Sequence, residues 1–387
     1  MPSKVKTNPL NSGKQMDFIL LIIIILLLAL GIIMVLSASA PSALAETGNS
    51  YTYVSKQILF AGIGLVAMYL ISKIDYRIYK KFYWGAYWIS VGVLLLVLVP
   101  GLGIAANGAK RWITLGFTTF QPSEITKVGM IIFYAGYLSE HKNELRDFKK
   151  GFLKPFVYVL LPIGIAYVIQ NHLSVGLVMG IITVVMMIMA GCRISHFVIT
   201  GLVAGGLGGG ALVAYMLKKG QEAGAGNFRL GRILSFMDPW ADPTGTGWQA
   251  IQSLYAIGSG GLFGAGLGES KQKYLYIPEP QNDFIFSILA EELGFVGCCI
   301  VIILFALFIW RGILIAMKAP DMFGSLLATG ITTLVMVQVV INIGVVTSSI
   351  PNTGMPLPFF SAGGTALLIL LAMCGVLLNV SRSTNKV

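Results

Sequence analysis

Three carboxylates lie close together where a polar segment gives way to a long apolar run. Asp283 ends the segment IPEPQND, and Glu291 and Glu292 lie within the apolar sequence FIFSILAEELG. The prolines and the glutamine–asparagine pair indicate a loop, so Asp283 is expected on the first turn of a membrane helix. The two glutamates would lie about 12 Å further along that helix. Because charged groups at membrane depth are costly, Asp283 is interpreted either as a helix cap or as a catalytic acid or base.

A second group of charged residues occupies the segment 108–127, which reads GAKRWITLGFTTFQPSEITK. Lys110 and Arg111 precede a tryptophan, a pattern that suits either interfacial anchors or cations for an anionic ligand. Glu124 and Lys127 share one face of a predicted helix and form either a structural ion pair or part of a site. Cations on the side where the aspartate emerges would suit a diphosphate. Two more polar residues mark the start of the same helix, Gln121 and Ser123.

Three further features are candidates for a site. The long loop 218–282 contains two arginines whose guanidinium groups suit phosphate oxygens, although solvated loop arginines are the simpler interpretation: Arg229 and Arg232. His172 lies between two short apolar runs and is predicted either to cap a helix or to relay protons. The segment 351–364, rich in proline and glycine, is predicted to follow a non-helical path that forms the wall of a site. Its candidate residues are Ser361, Gly363 and Gly364.

Two glycine-rich tracts superficially resemble phosphate-binding loops. Nucleotide binding is rejected for both. The first tract, 258–268, lacks the Lys-Ser/Thr ending of such a loop, and no strand–helix unit surrounds it; the second is 201–210. The second tract falls in an apolar run and is attributed to close helix packing. The sequence shows no clustered set of His, Cys and carboxylate residues typical of a zinc site. The sequence identifies no cofactor, and the use of a divalent cation such as Mg²⁺ stays an open alternative.

The composition identifies an integral membrane protein. Of the 387 residues, 56% are hydrophobic and only 11% are charged, whereas a soluble domain carries about 25% charged residues. The net charge of +11 is therefore attributed to cytoplasmic loops rather than to binding of nucleic acid. The four cysteines lie in or beside apolar runs and are predicted to be packing residues.

Ten apolar runs are predicted to span the membrane: 18–36, 54–72, 84–100, 122–139, 153–169, 172–190, 196–217, 284–310, 322–347 and 359–380. The predicted fold is an all-α polytopic membrane protein that forms a single domain over 1–387. A signal-peptidase-like sequence follows the first run at 37–40, but the run is longer than a signal core, which favours a retained span.

Charge predicts how these spans are oriented. Most of the 27 basic residues fall in segments that lie inside if the N-terminus lies inside. Both tails, 1–17 and 381–387, are therefore predicted to be cytoplasmic, and the large loop 218–282 before the eighth span is predicted to be extracytoplasmic. Asp283 would then face a compartment without a ready supply of ATP or nucleotide sugars. A synthetic reaction there needs a substrate with its own leaving group, such as a lipid-linked diphosphate, whereas hydrolysis or transport does not.

Three motifs, in this order, resemble the SEDS family (shape, elongation, division and sporulation), which includes the FtsW, RodA and SpoVE proteins. They are GAKRWITLGFTTFQPSEITK (108–127), YIPEPQNDFIFSILAEELG (276–294) and TGMPLPFFSAGG (353–364). The sequence PEPQNDFIF within the second motif is most similar to the FtsW/SpoVE branch. Two departures occur. Ala362 stands where the family usually has tyrosine, and His172-Leu173 stands where many members have Asp-Leu.

The resemblance implies an enzyme of the bacterial cytoplasmic membrane that polymerises lipid II at an extracytoplasmic site. The 4-hydroxyl of one lipid II sugar would attack C1 of another chain with inversion, and undecaprenyl diphosphate would leave. Asp283 matches the family's essential aspartate and is hypothesised to be the general base. The residues predicted to bind substrate are Lys110, Arg111, Gln121, Ser123, Glu124, Lys127, Arg229, Arg232, Ser361, Gly363 and Gly364, with His172, Glu291 and Glu292 as further candidates.

The resemblance also implies protein partners. Members of the family work with a class B penicillin-binding protein, a single-span transpeptidase, and with other division or elongation proteins. Two alternatives to the polymerase stay open from the residues alone. One is a flippase that transports lipid II outward, and the other is a non-catalytic division scaffold.

Overall fold

The structure, a computed structural model, describes residues 16–106, 109–114, 119–202 and 235–383, without the side chains of residues 105, 106, 109 and 110. The described helices are α1 (Phe18–Thr47), α2 (Thr52–Ile71), α3 (Arg77–Lys80), α4 (Tyr83–Leu95), α5 (Pro122–Glu140), α6 (Lys154–Val168), α7 (Leu173–Met189), α8 (Trp248–Ser259), α9 (Ile285–Lys318), α10 (Met322–Val346) and α11 (Gly364–Ser383). Residues 194–202 are also helical. A 3₁₀ turn, Leu96–Leu98, extends α4, and a π-helical turn, Phe148–Leu153, leads into α6.

Helices long and apolar enough to cross a membrane dominate the described residues. There are six of them by length and composition: α1, α2, the helix Phe148–Val168, α9, α10 and α11. Two shorter apolar helices cover Tyr83–Leu98 and Leu173–Met189. The prediction of an all-α polytopic membrane protein is confirmed. The predicted span 196–217 lies largely outside the described residues, so the count of ten stays a prediction.

Three predicted boundaries were wrong. Helix α9 continues to Lys318 rather than ending at residue 310, because Arg311 and most residues after it are good helix formers. Helix α1 continues through Pro41 to Thr47 rather than ending at residue 36. It ends where Gly48, with a φ of +71°, forms a left-handed C-cap whose N–H donates to the carbonyl of Leu44. Helix α11 begins at Gly364 rather than at residue 359, because Phe359 has a φ of +67° and the N–H of Ala362 donates to the carbonyl of Gln281 rather than to a helical partner.

Helix α10 forms the centre of the bundle. Most of its residues are buried, from Phe323 to Val346, and α5, α7, α9 and α11 pack around it. Helix α2 packs along α11, and α4 packs along α5. The peripheral helices leave large apolar side chains exposed, such as Ile58 and Trp310, which lipid can solvate. A helix that is apolar on all sides, such as α10, is typical of the centre of a bundle.

Helix α9 is interrupted at Gly294, whose φ of 66° and ψ of −166° are not helical. Glycine adopts a positive φ of this kind at little cost. At this interruption the carbonyl groups of Glu291 and Glu292 and the N–H groups of Phe295 and Val296 are bonded outside the helix. Such backbone groups need hydrogen-bond partners when they are buried. The glycine-rich tract 258–268 provides those partners.

Four backbone hydrogen bonds of 2.9 to 3.1 Å connect this tract to α9: Ala265 N–H to Glu291, Gly266 N–H to Glu292, Phe295 N–H to Gly261 and Val296 N–H to Leu262. The two backbones approach so closely that a Cβ atom on Gly264 would lie 2.1 Å from the carbonyl oxygen of Glu292. Close packing against α9 therefore accounts for Gly264 and for Gly260, where a Cβ atom would clash with the carbonyl oxygen of Ala290. Gly261, Gly266 and Gly268 have a positive φ, which glycine adopts at little cost.

A small antiparallel sheet occupies part of the segment between α4 and α5. Its strands are β1 (Gly103–Ala106), β2 (Ala109–Thr114) and β3 (Thr119–Phe120), in that order. Ile104 pairs with Trp112, and Thr114 pairs with Thr119. The sequence predicts only a loop here. The sheet matters because β2 carries Arg111 to the site.

Candidate functional site

A cavity of about 630 Å³ lies at the end of the bundle that carries the sheet and the segment 351–363. Polar side chains line one part of it: Arg111, Gln121, Glu124, His172, Gln249, Glu279, Asn282, Asp283, Gln338, Asn352 and Ser361. Apolar side chains from α10 and α11 line its deeper part: Leu334, Leu367, Leu370 and Met373. The cavity is thus amphipathic, with a polar mouth and an apolar depth.

The position of Asp283 along the bundle follows from α10. This helix begins at Met322, next to an ion pair of 3.1 Å between Asp321 and Arg77. Asn342 lies 20 residues further on, a distance of about 30 Å along a helix, and it binds the backbone of Asp283. Asp283 is therefore about one hydrocarbon thickness away from the end of the bundle that carries Arg77.

Asp283 precedes α9 rather than lying on its first turn as predicted. The helix begins at Ile285, and the cap position is occupied by Phe284. The side-chain amide of Asn342 donates to the carbonyl of Asp283 at 2.7 Å and to that of Met355 at 2.8 Å. Asn342 thus fixes the backbone of Asp283 next to the segment 351–363, whereas the loop before α9 would not by itself determine where Asp283 lies.

The segment 351–363 and the residues before α9 are joined at further points. The hydroxyl of Ser361 donates to the carbonyl of Asn282 at 2.7 Å and accepts from the N–H of Leu357 at 2.7 Å. The N–H of Ala362 donates to the carbonyl of Gln281 at 2.8 Å. The segment is non-helical, as predicted, and forms a cavity wall. Ser361, a predicted substrate ligand, lines the cavity, but its hydroxyl proton is already donated to the backbone.

Gly354 lies against the carboxylate of Asp283. Its φ is +65°, and a Cβ atom there would lie 3.2 Å from Oδ2 of Asp283. Gly363 also lines the cavity. Gly364 is placed outside the lining as the first residue of α11, where a Cβ atom would lie 2.1 Å from the ring of Phe60.

Arg111 is partly buried and lines the cavity. Its Nε donates to the carbonyl of Gln170 at 3.0 Å, and its Nη2 donates to that of Asn171 at 2.9 Å. Burial lowers the pKa of Arg111, and the negative charge of Asp283 opposes this lowering. An arginine stays charged in either case. The guanidinium is thus both an anchor for β2 and a fixed cation whose field reaches Asp283.

Glu124 and Lys127 form a buried ion pair of 2.8 Å on α5. Glu124 lines the cavity, but Lys127 is 1% exposed and does not. The structure therefore places the predicted cation behind Glu124, which shields it. Ser123 is fully buried and is likewise outside the cavity lining. Ser123 and Glu124 are adjacent and therefore point to different sides of α5, whereas Lys127 is three residues from Glu124 and on the same face.

Gln121 and His172 meet at the cavity, with 3.1 Å between their Nε2 atoms. His172 also occupies the N-cap of α7, where its Nδ1 accepts from the N–H of Val175 at 3.4 Å. The capping interpretation of His172 therefore describes its local role, and the residue faces the site as well.

Glu291 and Glu292 lie outside the cavity lining, in a buried network. Glu292 pairs with Lys273 at 2.9 Å and accepts from the hydroxyl of Ser37 on α1 at 2.6 Å. Glu291 accepts from the N–H of Lys271 at 2.9 Å. These carboxylates hold the end of the long loop against α1 and α9, since a buried charge needs partners.

Three predicted substrate ligands have no described side chain. Arg229 and Arg232 lie outside the described residues. Lys110 lies on β2, where its backbone pairs with Ala105, and its side chain is outside the described part of the chain.

Several cavity residues were not predicted from the sequence. Gln338 lines the cavity, and Asn342 lies one turn further along α10, outside the lining. Two polar residues one turn apart in an apolar sequence were a usable signal. Glu279 lines the cavity with a φ of +48°, a backbone conformation that costs free energy and is common at functional sites. Asn352 donates to Gln249 at 3.1 Å. No local pattern connects residues so far apart in sequence.

Within the ranges that the structure describes, no group of three or more His, Cys, Asp or Glu residues could hold a metal ion. Among the described side chains, Arg111 is the cation that lines the cavity.

The fold and the cavity define a class: a multi-pass helical membrane protein with an amphipathic cavity at one end of its bundle. A family model for FTSW_RODA_SPOVE, described as a cell cycle protein, matches residues 18–386. The chain belongs to this family.

Three similar proteins agree with that assignment. Stage V sporulation protein E of Bacillus subtilis (strain 168) is 46% identical, over 95% of this chain and 97% of that protein. A probable peptidoglycan glycosyltransferase FtsW of Trichlorobacter lovleyi is 38% identical, over 95% and 93%. A solved chain described under structural coordination of polymerization and crosslinking by a peptidoglycan synthase complex superposes with a TM-score of 0.75 at 28% identity, over 95% of this chain and 98% of that one.

Proposed function

We propose that this chain is a peptidoglycan glycosyltransferase that polymerises lipid II at the outer face of the cytoplasmic membrane, for division, elongation or sporulation. The observation that carries the proposal is the position of Asp283, at the polar mouth of an amphipathic cavity that the fixed cation of Arg111 also lines. The name of the FtsW relative supports the reaction class.

The shape of the cavity suits an amphiphile with a charged centre. Its apolar depth, which reaches Leu370 and Met373, matches an isoprenoid chain, and its polar mouth matches a diphosphate and sugars. The polar part lies about one hydrocarbon thickness from the Arg77 end of the bundle, at the level of lipid headgroups. If the Arg77 end is cytoplasmic, as the positive-inside pattern predicts, the site faces outward.

In the proposed reaction Asp283 is the general base. Its carboxylate accepts the proton from the 4-hydroxyl of a lipid II sugar, and the oxygen of that hydroxyl forms a bond to C1 of the sugar on the second chain. The bond from C1 to the diphosphate oxygen breaks with inversion, and the electron pair leaves with undecaprenyl diphosphate. Arg111 offsets the charge that develops on this leaving group, since fixed cations in a poorly hydrated site are effective. Proton release from Asp283 to water restores the base.

The proposal includes a partner. The similar solved chain is described as part of a peptidoglycan synthase complex that coordinates polymerization and crosslinking. We therefore expect this chain to act with a class B penicillin-binding protein that crosslinks the new strand.

The test uses the purified chain with its transpeptidase partner and lipid II in liposomes, measuring glycan polymer and lipid II flipping separately. We expect the wild type to form polymer and Asp283→Asn to lose it by at least about 100-fold, a typical contribution of a general base. Polymer formation at the wild-type rate by Asp283→Asn would refute the general-base role. Flipping without polymer in the wild type would favour the transporter, and neither activity would favour the scaffold.

A further inference from the structure

Asn342 lies one helical turn beyond Gln338 on α10 and is 1% exposed. It is outside the cavity lining, yet its amide donates to the carbonyls of Asp283 and Met355 at 2.7 and 2.8 Å. We infer that Asn342 is a positioning residue, which holds the backbone of Asp283 so that its carboxylate faces the substrate. The inference rests on the proposed function of the site.

The geometry explains why an amide is needed at this position. Two carbonyl oxygens converge on it, and both carry partial negative charge, so they stay close only if a group with two N–H donors lies between them. A buried carbonyl that loses its donor is costly, and the backbone would move to find another partner.

Movement of either carbonyl would displace the reacting group. Met355 directly follows Gly354, and Gly354 lies against Oδ2 of Asp283. The hydroxyl of Ser361 joins the same two segments at Asn282 and Leu357. Asn342 ties this assembly to α10, which is buried along most of its length and therefore provides a rigid reference.

Two substitutions separate positioning from packing. Asn342→Leu removes both donors and leaves an apolar side chain of similar size. Asn342→Gln keeps the amide on a stem that is one methylene longer. If the residue only fills space, leucine is the better replacement, because an extra methylene strains a packed core. If the amide positions Asp283, glutamine is the better replacement.

Asn379 on α11 provides the matched control. It is also buried, and its amide also bridges backbone groups, donating to Ser72 at 2.8 Å and accepting from the N–H of Tyr76 at 2.9 Å. Tyr76 contacts Asp321 at the end of the bundle opposite the cavity. Asn379→Leu should lower thermal stability while leaving the kcat of the folded protein unchanged.

Lipid II polymerisation is measured for each folded variant in the partner complex, with kcat and KM determined separately. We expect kcat to fall by about 100-fold for Asn342→Leu, the effect of a small misplacement of a reacting group. KM should stay within about twofold of the wild-type value, since the residue does not line the cavity. Asn342→Gln should retain more activity than Asn342→Leu.

Three results would overturn the inference: a kcat for Asn342→Leu equal to that of Asn379→Leu, an effect confined to KM, or a better kcat for leucine than for glutamine. If Asn342→Leu does not fold, Asn342→Ala decides, because it also removes both donors to Asp283 and Met355. A kcat that is lowered at constant KM then supports the inference, and an unchanged kcat overturns it. A wild type without polymerase activity refutes the proposed function together with the inference, whereas an active wild type and a fully active Asn342→Leu refute the inference alone.

Discussion

A methyl group added at Gly354 should impair catalysis more than it impairs folding. The φ of +65° at this position costs an alanine about 1–2 kcal/mol of folding free energy. The new Cβ atom would also lie 3.2 Å from Oδ2 of Asp283, so the carboxylate must move by a few tenths of an ångström. A displacement of that size should lower kcat by about tenfold, which corresponds to about 1.4 kcal/mol of activation free energy.

Gly48 separates the two effects of that substitution. Its φ is +71°, and no atom lies within 4 Å of the position of its Cβ. Gly48→Ala therefore carries the same backbone strain without any contact to the site. Both variants should lose similar thermal stability in detergent, while only Gly354→Ala loses lipid II polymerisation per folded molecule. Equal kcat values for the two variants would show that the contact with Asp283 has no catalytic consequence.

Two further predictions concern stability. Gly264→Ala should reduce the yield of folded protein far more than Gly268→Ala. Both glycines have a positive φ, but only the Cβ atom at Gly264 would lie 2.1 Å from a backbone oxygen. Size-exclusion profiles in detergent compare the two variants, and equal yields would contradict the packing role of Gly264. Lys127→Met should destabilise the protein by about 3–5 kcal/mol, because it leaves Glu124 buried without its partner. Adding Glu124→Gln should restore most of that loss in thermal unfolding, and a double variant as unstable as the single one would argue against the ion pair as the cause.

Much of the fold follows from local sequence. Apolar runs long enough to cross a bilayer identify the membrane helices without knowledge of their packing, since the requirement depends only on length and hydrophobicity. The proline-rich segment 351–363 could also be predicted to be non-helical, because proline lacks an N–H group. Helix ends were less predictable, as α1 shows, since the small and apolar residues that follow its predicted end at 36 also continue a helix.

The candidate site could be predicted only in part. Asp283, Arg111 and Glu124 are recognisable because charge at the edge of an apolar run is unusual. Whether such a residue faces a cavity depends on the rotation of its helix, which neighbouring helices decide. Ser123 illustrates this, since it is adjacent to Glu124 on α5 but is fully buried and does not line the cavity.

The sequence by itself determined that this protein is a helical membrane protein, that it belongs to the FtsW, RodA and SpoVE family, and that Asp283 is its leading catalytic candidate. Tertiary structure decided that Asn342 holds the backbone of that aspartate and that Glu291 and Glu292 serve a separate buried network. The physical reason is range. Hydrophobicity and backbone preference act on neighbouring residues, whereas a hydrogen bond between residues 59 positions apart exists only after the helices have packed.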